Sequence, residues 1–280
     1  MKKLNLFILL LLTFFMFAFG LTDIVRKIDL LRNIFYPEVY ERKGLGNDTK
    51  GGKFDHLAYN SVLKMAVNDD GYVDYIAISN NPHSLDEYIK KLANADVKSL
   101  SRFEHFALMV NAYNAFTLKL ITEYPGIDSI KDISSSKRWD DKRWRIGDAV
   151  YSLNEIEHDV LRKQYGEPLV HFALVCASKS CPKLRNEPYI GKDLAFQLND
   201  QALHFFSQPI NFRWDEEKNT VFLSELLDWF RHDFAVDEKG VLDYPLHYID
   251  TRSEAQIKAN KDSLKIKYIP YDWSINGNWN

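Results

Sequence analysis

A long apolar segment at residues 101–124 constrains the fold most. Ser101 is followed three residues later by Glu104, which is the pattern of a helix capping box, and Pro125 with Gly126 ends the segment. Between these signals the runs FALMV and AFTLKLI are apolar on nearly every face. Because a helix that is apolar all round is buried, the sequence predicts one long helix inside a packed core.

Two amides interrupt this helix. Asn111 and Asn114 are three residues apart and therefore share a face. A buried amide without a hydrogen-bond partner costs about 1–3 kcal/mol, so both side chains need partners. Two interpretations stay open: the amides tie the helix to neighbouring backbone, or they line a pocket and orient a ligand. In either case we expect Asn111 to be buried with its amide paired.

Composition and charge exclude some classes of protein. Hydrophobic residues make up 46% of the chain and aromatic residues 14%, which is enough to fill a sizeable core and argues against disorder. The formal net charge is −3 and the basic residues are scattered. Since binding to phosphate backbones needs a strongly basic face, we expect no nucleic-acid partner.

The N-terminus resembles a signal peptide at residues 1–20. Two lysines precede an apolar run at residues 6–19, and Ala18 and Gly20 are small residues placed for cleavage before Leu21. The run is shorter than the roughly 20 residues that a membrane span needs, although an uncleaved anchor is the alternative. We therefore expect an exported protein, periplasmic or secreted, without membrane contact after cleavage.

The remaining pattern predicts a single α+β domain. Residues 21–50 are a glycine-containing leader, and residues 51–280 form the domain. Helices are predicted at 56–67, 84–95 with Ser84 as its cap, 152–165, 192–207 and 224–234. Hairpins are predicted at 143–151 and 210–223, and further strands at 72–75, 169–176 and 264–271. Long helices followed by short strands are typical of several helices packed on a small, mostly antiparallel sheet.

Residues 171–182, HFALVCASKSCP, contain both cysteines of the chain. The segment is predicted to be a buried strand that runs into a polar loop. Strand alternation would place His171 and Cys176 on opposite faces, which makes them poor direct partners. In an oxidising compartment Cys176 and Cys181 often form a disulfide. Alternatively Cys176 is a buried small hydrophobic residue or a reactive thiol, and Ser178 and Cys181 offer polar groups to a ligand.

The helix at 152–165 carries the second group of candidate residues. His158 follows Glu155 by three residues and precedes Arg162 by four. This spacing fits a solvated charged face. It also fits a base, in which a carboxylate fixes the tautomer of His158. Glu157 lies on a different face from Glu155, and we expect it to point inward.

Several common site patterns are missing from the sequence. The C-x4-C spacing with scattered histidines matches no standard zinc site. Glycine-rich phosphate loops and the G-x-S-x-G nucleophile elbow are also absent. We therefore expect neither a metal ion nor a cofactor.

The chain resembles a family of uncharacterised proteins, domain of unknown function 547. The matching motifs are GYVDY (71–75), NAYNA (111–115), SLNEIEHDVLR (152–162), HFALVCASKSCPKLR (171–185), LSELLDWFRHDF (223–234) and YDWSIN (271–276). The resemblance implies a single domain but carries no established activity. It also implies that the position of Cys176 is kept more often than that of Cys181. An obligatory disulfide is then less expected, and Cys176 is favoured for a shared role.

The leading hypothesis from the sequence is a cysteine-dependent hydrolase or transferase acting on an amide or thioester. Cys176 would be the nucleophile and His158 or His171 the base, with Glu157 orienting the base. An amide of Asn111 or Asn114 would stabilise the oxyanion.

Two alternatives belong to other classes of protein. One is a non-catalytic binding module of the cell envelope whose pocket holds a small polar ligand or a peptide. The other is a thiol redox protein that uses Cys176 and Cys181.

Overall fold

The fold surrounds the long helix that the sequence predicts. This helix spans Arg102–Thr122, and the Ser101 hydroxyl accepts a hydrogen bond from the Glu104 backbone N–H at 3.2 Å. Both amides and nearly all apolar side chains of the helix are buried. The computed structural model describes Leu45, residues 50–235, Asp237 and residues 239–279, which lie within one compact unit. The predicted signal peptide and most of the leader lie outside these residues.

Helices make up most of the regular structure. The α-helices of the described residues are α1 (Leu57–Ala66), α2 (Tyr75–Asn80), α3 (His83–Ala93), α4 (Arg102–Thr122), α5 (Ser135–Arg138), α6 (Leu194–Ser207), α7 (Glu225–Trp229), α8 (Arg231–Phe234) and α9 (Thr251–Asn260). A π-helix spans Glu155–Tyr165, and 3-10 turns span Val97–Ser99, Ile130–Asp132, Pro168–Phe172, Gly191–Asp193, Gly240–Asp243 and Pro245–His247. Within this part of the chain, no helix has the length and apolar character needed to cross a membrane.

The strands form small, separate sheets. They are β1 (Val73–Asp74), β2 (Trp144–Ile146), β3 (Ala149–Tyr151), β4 (Phe212–Asp215), β5 (Thr220–Ser224), β6 (Lys265–Ile269) and β7 (Gly277–Asn278). The predicted hairpins are confirmed as the antiparallel pairs β2–β3 and β4–β5. Strand β6 adds to β5 in parallel, and β7 pairs with β1 in parallel. The α+β fold class is therefore confirmed, with parallel pairs beside the antiparallel ones.

The predicted strand at 169–176 is wrong. Residues Pro168–Phe172 form a 3-10 turn, in which the Glu167 carboxylate accepts from the Leu169 N–H at 3.1 Å. Proline at the first position has no N–H to leave unpaired, which favours a helical start over a strand. The backbone that follows binds Asn114 instead of a neighbouring strand. The alternation argument that separated His171 from Cys176 therefore does not apply.

One predicted helix start differs from the structure, and a second is confirmed. The helix predicted at 84–95 begins at His83, and Ser84 lies inside its first turn instead of capping it. At 152–165 the capping box is present: Ser152 and Glu155 exchange hydrogen bonds of 3.1 and 2.8 Å. The helix then continues with π geometry. Helices of this type are rare and are frequently found at functional sites.

The site lies where two hydrophobic clusters meet. The larger cluster surrounds α4, and the smaller one contains α6 with β4–β6. Phe172 belongs to the smaller cluster, whereas Ala173 and Leu174 belong to the larger one. The segment that leads to Cys176 therefore contacts both clusters.

Candidate functional site

The two cysteines are joined in a disulfide bond between Cys176 and Cys181. The loop between them contains Ala177 with a φ of 63°, a left-handed conformation that is unfavourable for residues other than glycine. The C-terminal segment holds this loop in place. Lys179 N–H donates to the Ser274 carbonyl at 2.8 Å, and Asn276 N–H donates to the Ala177 carbonyl at 3.0 Å.

Hydrogen-bond donors lie near both sulfur atoms, and the closest ones contact Cys181 Sγ. Cys181 Sγ accepts hydrogen bonds from the Cys176 backbone N–H and from the Tyr271 hydroxyl, each at 3.0 Å. The same hydroxyl lies 3.3 Å from Cys176 Sγ. Burial raises the pKa of Tyr271, and the nearby Glu157 carboxylate raises it further, so this hydroxyl keeps its proton. Cys181 is buried, whereas Cys176 is partly exposed.

The disulfide forms part of the wall of a pocket of about 190 Å³. Its aromatic walls are Tyr113, Trp139, Trp229, Phe230, Tyr271 and Trp273, and its polar side chains are Asn154, Glu157, His158 and His171. A volume of this size is smaller than the roughly 300–1,000 Å³ of drug-sized ligand sites. The pocket can therefore take a small ligand or one side chain of a larger one.

His158 is held as a hydrogen-bond donor. The Arg162 guanidinium lies 2.7 Å from His158 Nδ1, and a guanidinium can only donate. Nδ1 must then accept, so a neutral His158 carries its proton on Nε2. In this arrangement His158 offers the pocket an N–H group. The role of base, which the sequence suggests for His158, would require its bond to Arg162 to break.

His171 is paired with a carboxylate that the sequence analysis did not select. Its Nε2 lies 2.6 Å from Asp233 Oδ2, and its ring stacks on Phe230 with centroids 4.0 Å apart. Burial lowers the pKa of His171, although the Asp233 carboxylate opposes that shift. We therefore assign a neutral ring that donates from Nε2 to Asp233 and keeps a lone pair on Nδ1.

Asp233 also binds Arg162 through two bonds. Arg162 Nε lies 2.6 Å from Asp233 Oδ2, and a second guanidinium nitrogen lies 3.1 Å from Oδ1. Burial alone would raise the pKa of Asp233, but the hydrogen bonds from His171 and Arg162 hold it well below its ordinary value. One buried ion pair thus orients both histidines of the pocket.

Glu157 points into the pocket, as the sequence predicts, but it acts on tyrosines and does not orient a histidine. Burial raises the pKa of Tyr113, and the Glu157 carboxylate raises it further. Glu155, the carboxylate on the adjacent face, caps the helix and pairs with Lys142 at 2.6 Å. The orienting carboxylate for His171 is that of Asp233.

The two asparagines bind backbone. Asn111 donates to the Tyr189 carbonyl at 2.8 Å and accepts from the Tyr189 N–H at 2.9 Å. Asn114 makes the corresponding pair of bonds to the Ala173 carbonyl, at 3.0 Å, and the Val175 N–H, at 2.9 Å. The prediction that Asn111 is buried with its amide paired is confirmed. This geometry supports the scaffold interpretation for both residues.

Ser178 lies behind the disulfide. Its hydroxyl is 3.4 Å from Cys176 Sγ, and it lines a second pocket, of about 210 Å³, that shares Cys181 with the first. Across residues 50–235 and the other described positions, no group of three or more His, Cys, Asp or Glu side chains is arranged to hold a metal ion.

Sequence reasoning missed Tyr271, Asp233 and Trp229 as site residues. Tyr271 begins the motif YDWSIN, and the other two lie in LSELLDWFRHDF. Both motifs support the family resemblance, but nothing in their local pattern indicates proximity to the cysteines. Tyr271 is 90 positions from Cys181, and Asp233 is 62 positions from His171.

Comparison with known protein families yields a match. Residues 97–206 match the family described as "Protein of unknown function, DUF547". The resemblance to this family is thereby confirmed, and the matched region contains α4, the π-helix and the disulfide loop. Comparison with the curated proteins and with the solved structures found no match.

Proposed function

We propose that this chain, whose residues 97–206 match the DUF547 family, is a thiol redox protein in which Cys176 and Cys181 alternate between a disulfide and two thiols. One observation carries the proposal: the disulfide lies in the wall of an open pocket, with two hydrogen-bond donors directed at Cys181 Sγ. A purely structural disulfide needs neither an open pocket nor such donors.

The geometry indicates which sulfur is attacked. Cys176 is partly exposed, whereas Cys181 is 8% exposed, so a substrate thiolate reaches Cys176 Sγ. A sulfur–sulfur bond forms between substrate and Cys176 while the Cys176–Cys181 bond breaks, and the electron pair leaves on Cys181 Sγ. The Cys176 N–H and the Tyr271 hydroxyl already point at that atom and would stabilise the thiolate.

A second substrate thiolate then displaces Cys176 from the mixed disulfide. The balance is two substrate thiols oxidised to one disulfide and the protein disulfide reduced to two thiols. The reverse sequence reduces a substrate disulfide. Neither direction needs a metal ion or a bound cofactor.

Trapping of the mixed disulfide tests the proposal. The Cys181→Ser variant has Cys176 as a free thiol. When this variant is folded, we expect Cys176 to form a mixed disulfide with one mercaptoethanol unit from hydroxyethyl disulfide, which intact mass measures. Cys176→Ser is the matched control and should react at least about tenfold more slowly, because Cys181 is buried. Wild-type protein whose disulfide is reduced only in denaturant, together with an inert Cys181→Ser variant, would show that the bond is structural.

The hydroxyl of Tyr271 provides a second test. In reduced Cys176→Ser protein, Tyr271→Phe removes one donor from Cys181 Sγ and should raise the pKa of that thiol by about 1–2 units. The pH dependence of thiolate absorbance measures this shift. Tyr113→Phe is the matched control, since Tyr113 lines the same pocket and lies near the same Glu157 carboxylate. Equal pKa values in the two variants would remove Tyr271 from the proposed chemistry.

The hydrolase or transferase hypothesis is the second candidate. His171, which is paired with Asp233, lines the same pocket as Cys176, and a base and a nucleophile need to share a pocket in this way. The sulfur of Cys176 is bonded to Cys181, however, and can attack a carbonyl only after reduction. We expect reduced protein to show no turnover of a simple thioester. Turnover by Cys181→Ser that is lost in Cys176→Ser would favour the hydrolase instead.

We also propose export to the periplasm or the exterior, where the environment allows disulfides to persist. The protein purified from the cell envelope should then begin near Leu21. Retention of Met1 on membrane-bound protein would instead identify residues 2–20 as an anchor.

A further inference from the structure

We propose that the thiol substrate is a polypeptide cysteine with an aromatic side chain beside it, and that acidic thiols are disfavoured. This inference rests on the proposed redox function, because it identifies the substrate class of the same disulfide. It is carried by the aromatic walls of the pocket and by the charge inside it.

The disulfide shares its pocket with aromatic rings that are partly open to solvent. Trp229, Tyr271 and Trp273 pack together, with the ring centroids of Tyr271 lying 4.9 Å from Trp229 and 4.6 Å from Trp273. All three rings are only partly buried, as is Trp139 in the same pocket. Partly exposed aromatic rings around an opening are typical of a binding surface, because an apolar ligand completes their burial.

The size of the pocket limits what can enter. About 190 Å³ accommodates one large side chain next to the sulfur, whereas the rest of a polypeptide would stay outside. The aromatic rings offer edge and face contacts to a second ring. A cysteine with a neighbouring phenylalanine or tyrosine therefore matches both the volume and the chemistry.

The charge of the pocket disfavours anionic thiols. Among the described residues, Glu157 is the one side chain in its wall that is acidic or basic, apart from histidines and tyrosines. The Arg162 guanidinium behind His158 is paired with Asp233 and adds little net charge. Next to the pocket wall, the Lys131 ammonium lies 4.0 Å from the centroid of the Trp273 ring. Burial lowers the pKa of Lys131, and the nearby Glu225 carboxylate opposes this shift.

An acidic thiol such as glutathione would thus bring its carboxylates towards Glu157, where like charges repel. A neutral peptide thiol avoids this repulsion.

Three blocked dipeptide amides that differ in one residue test the inference. Each contains cysteine next to phenylalanine, alanine or aspartate, and the measured quantity is the second-order rate of reduction of the native disulfide, corrected for the pKa of each thiol. We expect the phenylalanine peptide to react roughly tenfold faster than the aspartate peptide, with alanine between them.

Two variants separate the causes. Trp229→Ala should bring the rate of the phenylalanine peptide close to the rate of the alanine peptide. Glu157→Gln should raise the rate of the aspartate peptide more than that of the alanine peptide. Phe196→Ala is the control, because Phe196 is 71% exposed and lies outside the pocket wall. It should change none of the ratios.

The outcomes distinguish the two proposals. Equal rates for the three peptides, or a preference for aspartate, would overturn the substrate class while leaving the redox function in place. Failure of every peptide to reduce the native disulfide, together with an inert Cys181→Ser variant in the trapping experiment, would overturn the redox function itself.

Discussion

Replacement of Asp233 by alanine removes the carboxylate that joins the two histidines of the pocket. The side chains involved are 9% exposed for Asp233, 12% for Arg162 and 1% for His171. The variant leaves a buried guanidinium without this partner, and breaking a buried ion pair in this way costs about 3–5 kcal/mol. Since domains unfold with about 5–15 kcal/mol, the loss is large but measurable.

The pH dependence of this effect has a defined sign. The pKa of Asp233 in the folded protein lies below its unfolded value of about 3.9. The stabilisation is therefore fully present above about pH 4 and is lost as the pH falls through the lower folded pKa. The difference in stability between wild type and Asp233→Ala should thus be constant from pH 7 to 8, where His171 is neutral in both proteins, and the contribution of the carboxylate should disappear in strong acid.

Urea unfolding followed by circular dichroism measures this difference. Asp148→Ala is the matched control, because the ion pair of Asp148 with Lys98 is almost fully exposed and should contribute less than about 1 kcal/mol. Asp233→Asn keeps the volume and one acceptor, so its loss should fall between those of the two alanine variants. If Asp233→Ala lost no more stability than Asp148→Ala, the buried ion pair would not organise this site.

Three further predictions concern the core. Burial lowers the pKa of His56 from 6.5 to about 4. As the pH falls from 6.5 to 4 the unfolded chain therefore binds a proton that the folded protein does not, and the free energy of unfolding should fall by about 3 kcal/mol. His56→Gln should remove this part of the pH dependence in urea titrations. Asn111→Leu should destabilise by about 1–3 kcal/mol or more, because both backbone groups of Tyr189 lose their partner, and an unchanged melting temperature would contradict this. Gly71→Ala should lower the melting temperature, since Gly71 has a φ of +80° and an added Cβ would lie 2.6 Å from the side chain of Lys183; unaltered melting would show that the turn adjusts.

Local patterns predicted the elements that depend on neighbours in sequence. The buried helix α4 with its Ser101 cap and the two hairpins follow from capping and periodicity, which act over a few residues. The 3-10 turn at Pro168–Phe172 was mistaken for a strand because a short apolar run has no period that separates the two. Its backbone is held by Asn114 on a distant helix.

For the candidate site, the sequence by itself determined which groups could react: two cysteines, two histidines and an inward-facing Glu157 on a capped helix. Only the tertiary structure decided their partners. Asp233, which is 62 positions further along the chain, orients His171. Tyr271 reaches the disulfide from the C-terminal segment. The physical reason is that these bonds join side chains far apart in the chain, whose distances depend on how the two hydrophobic clusters pack and not on any local propensity.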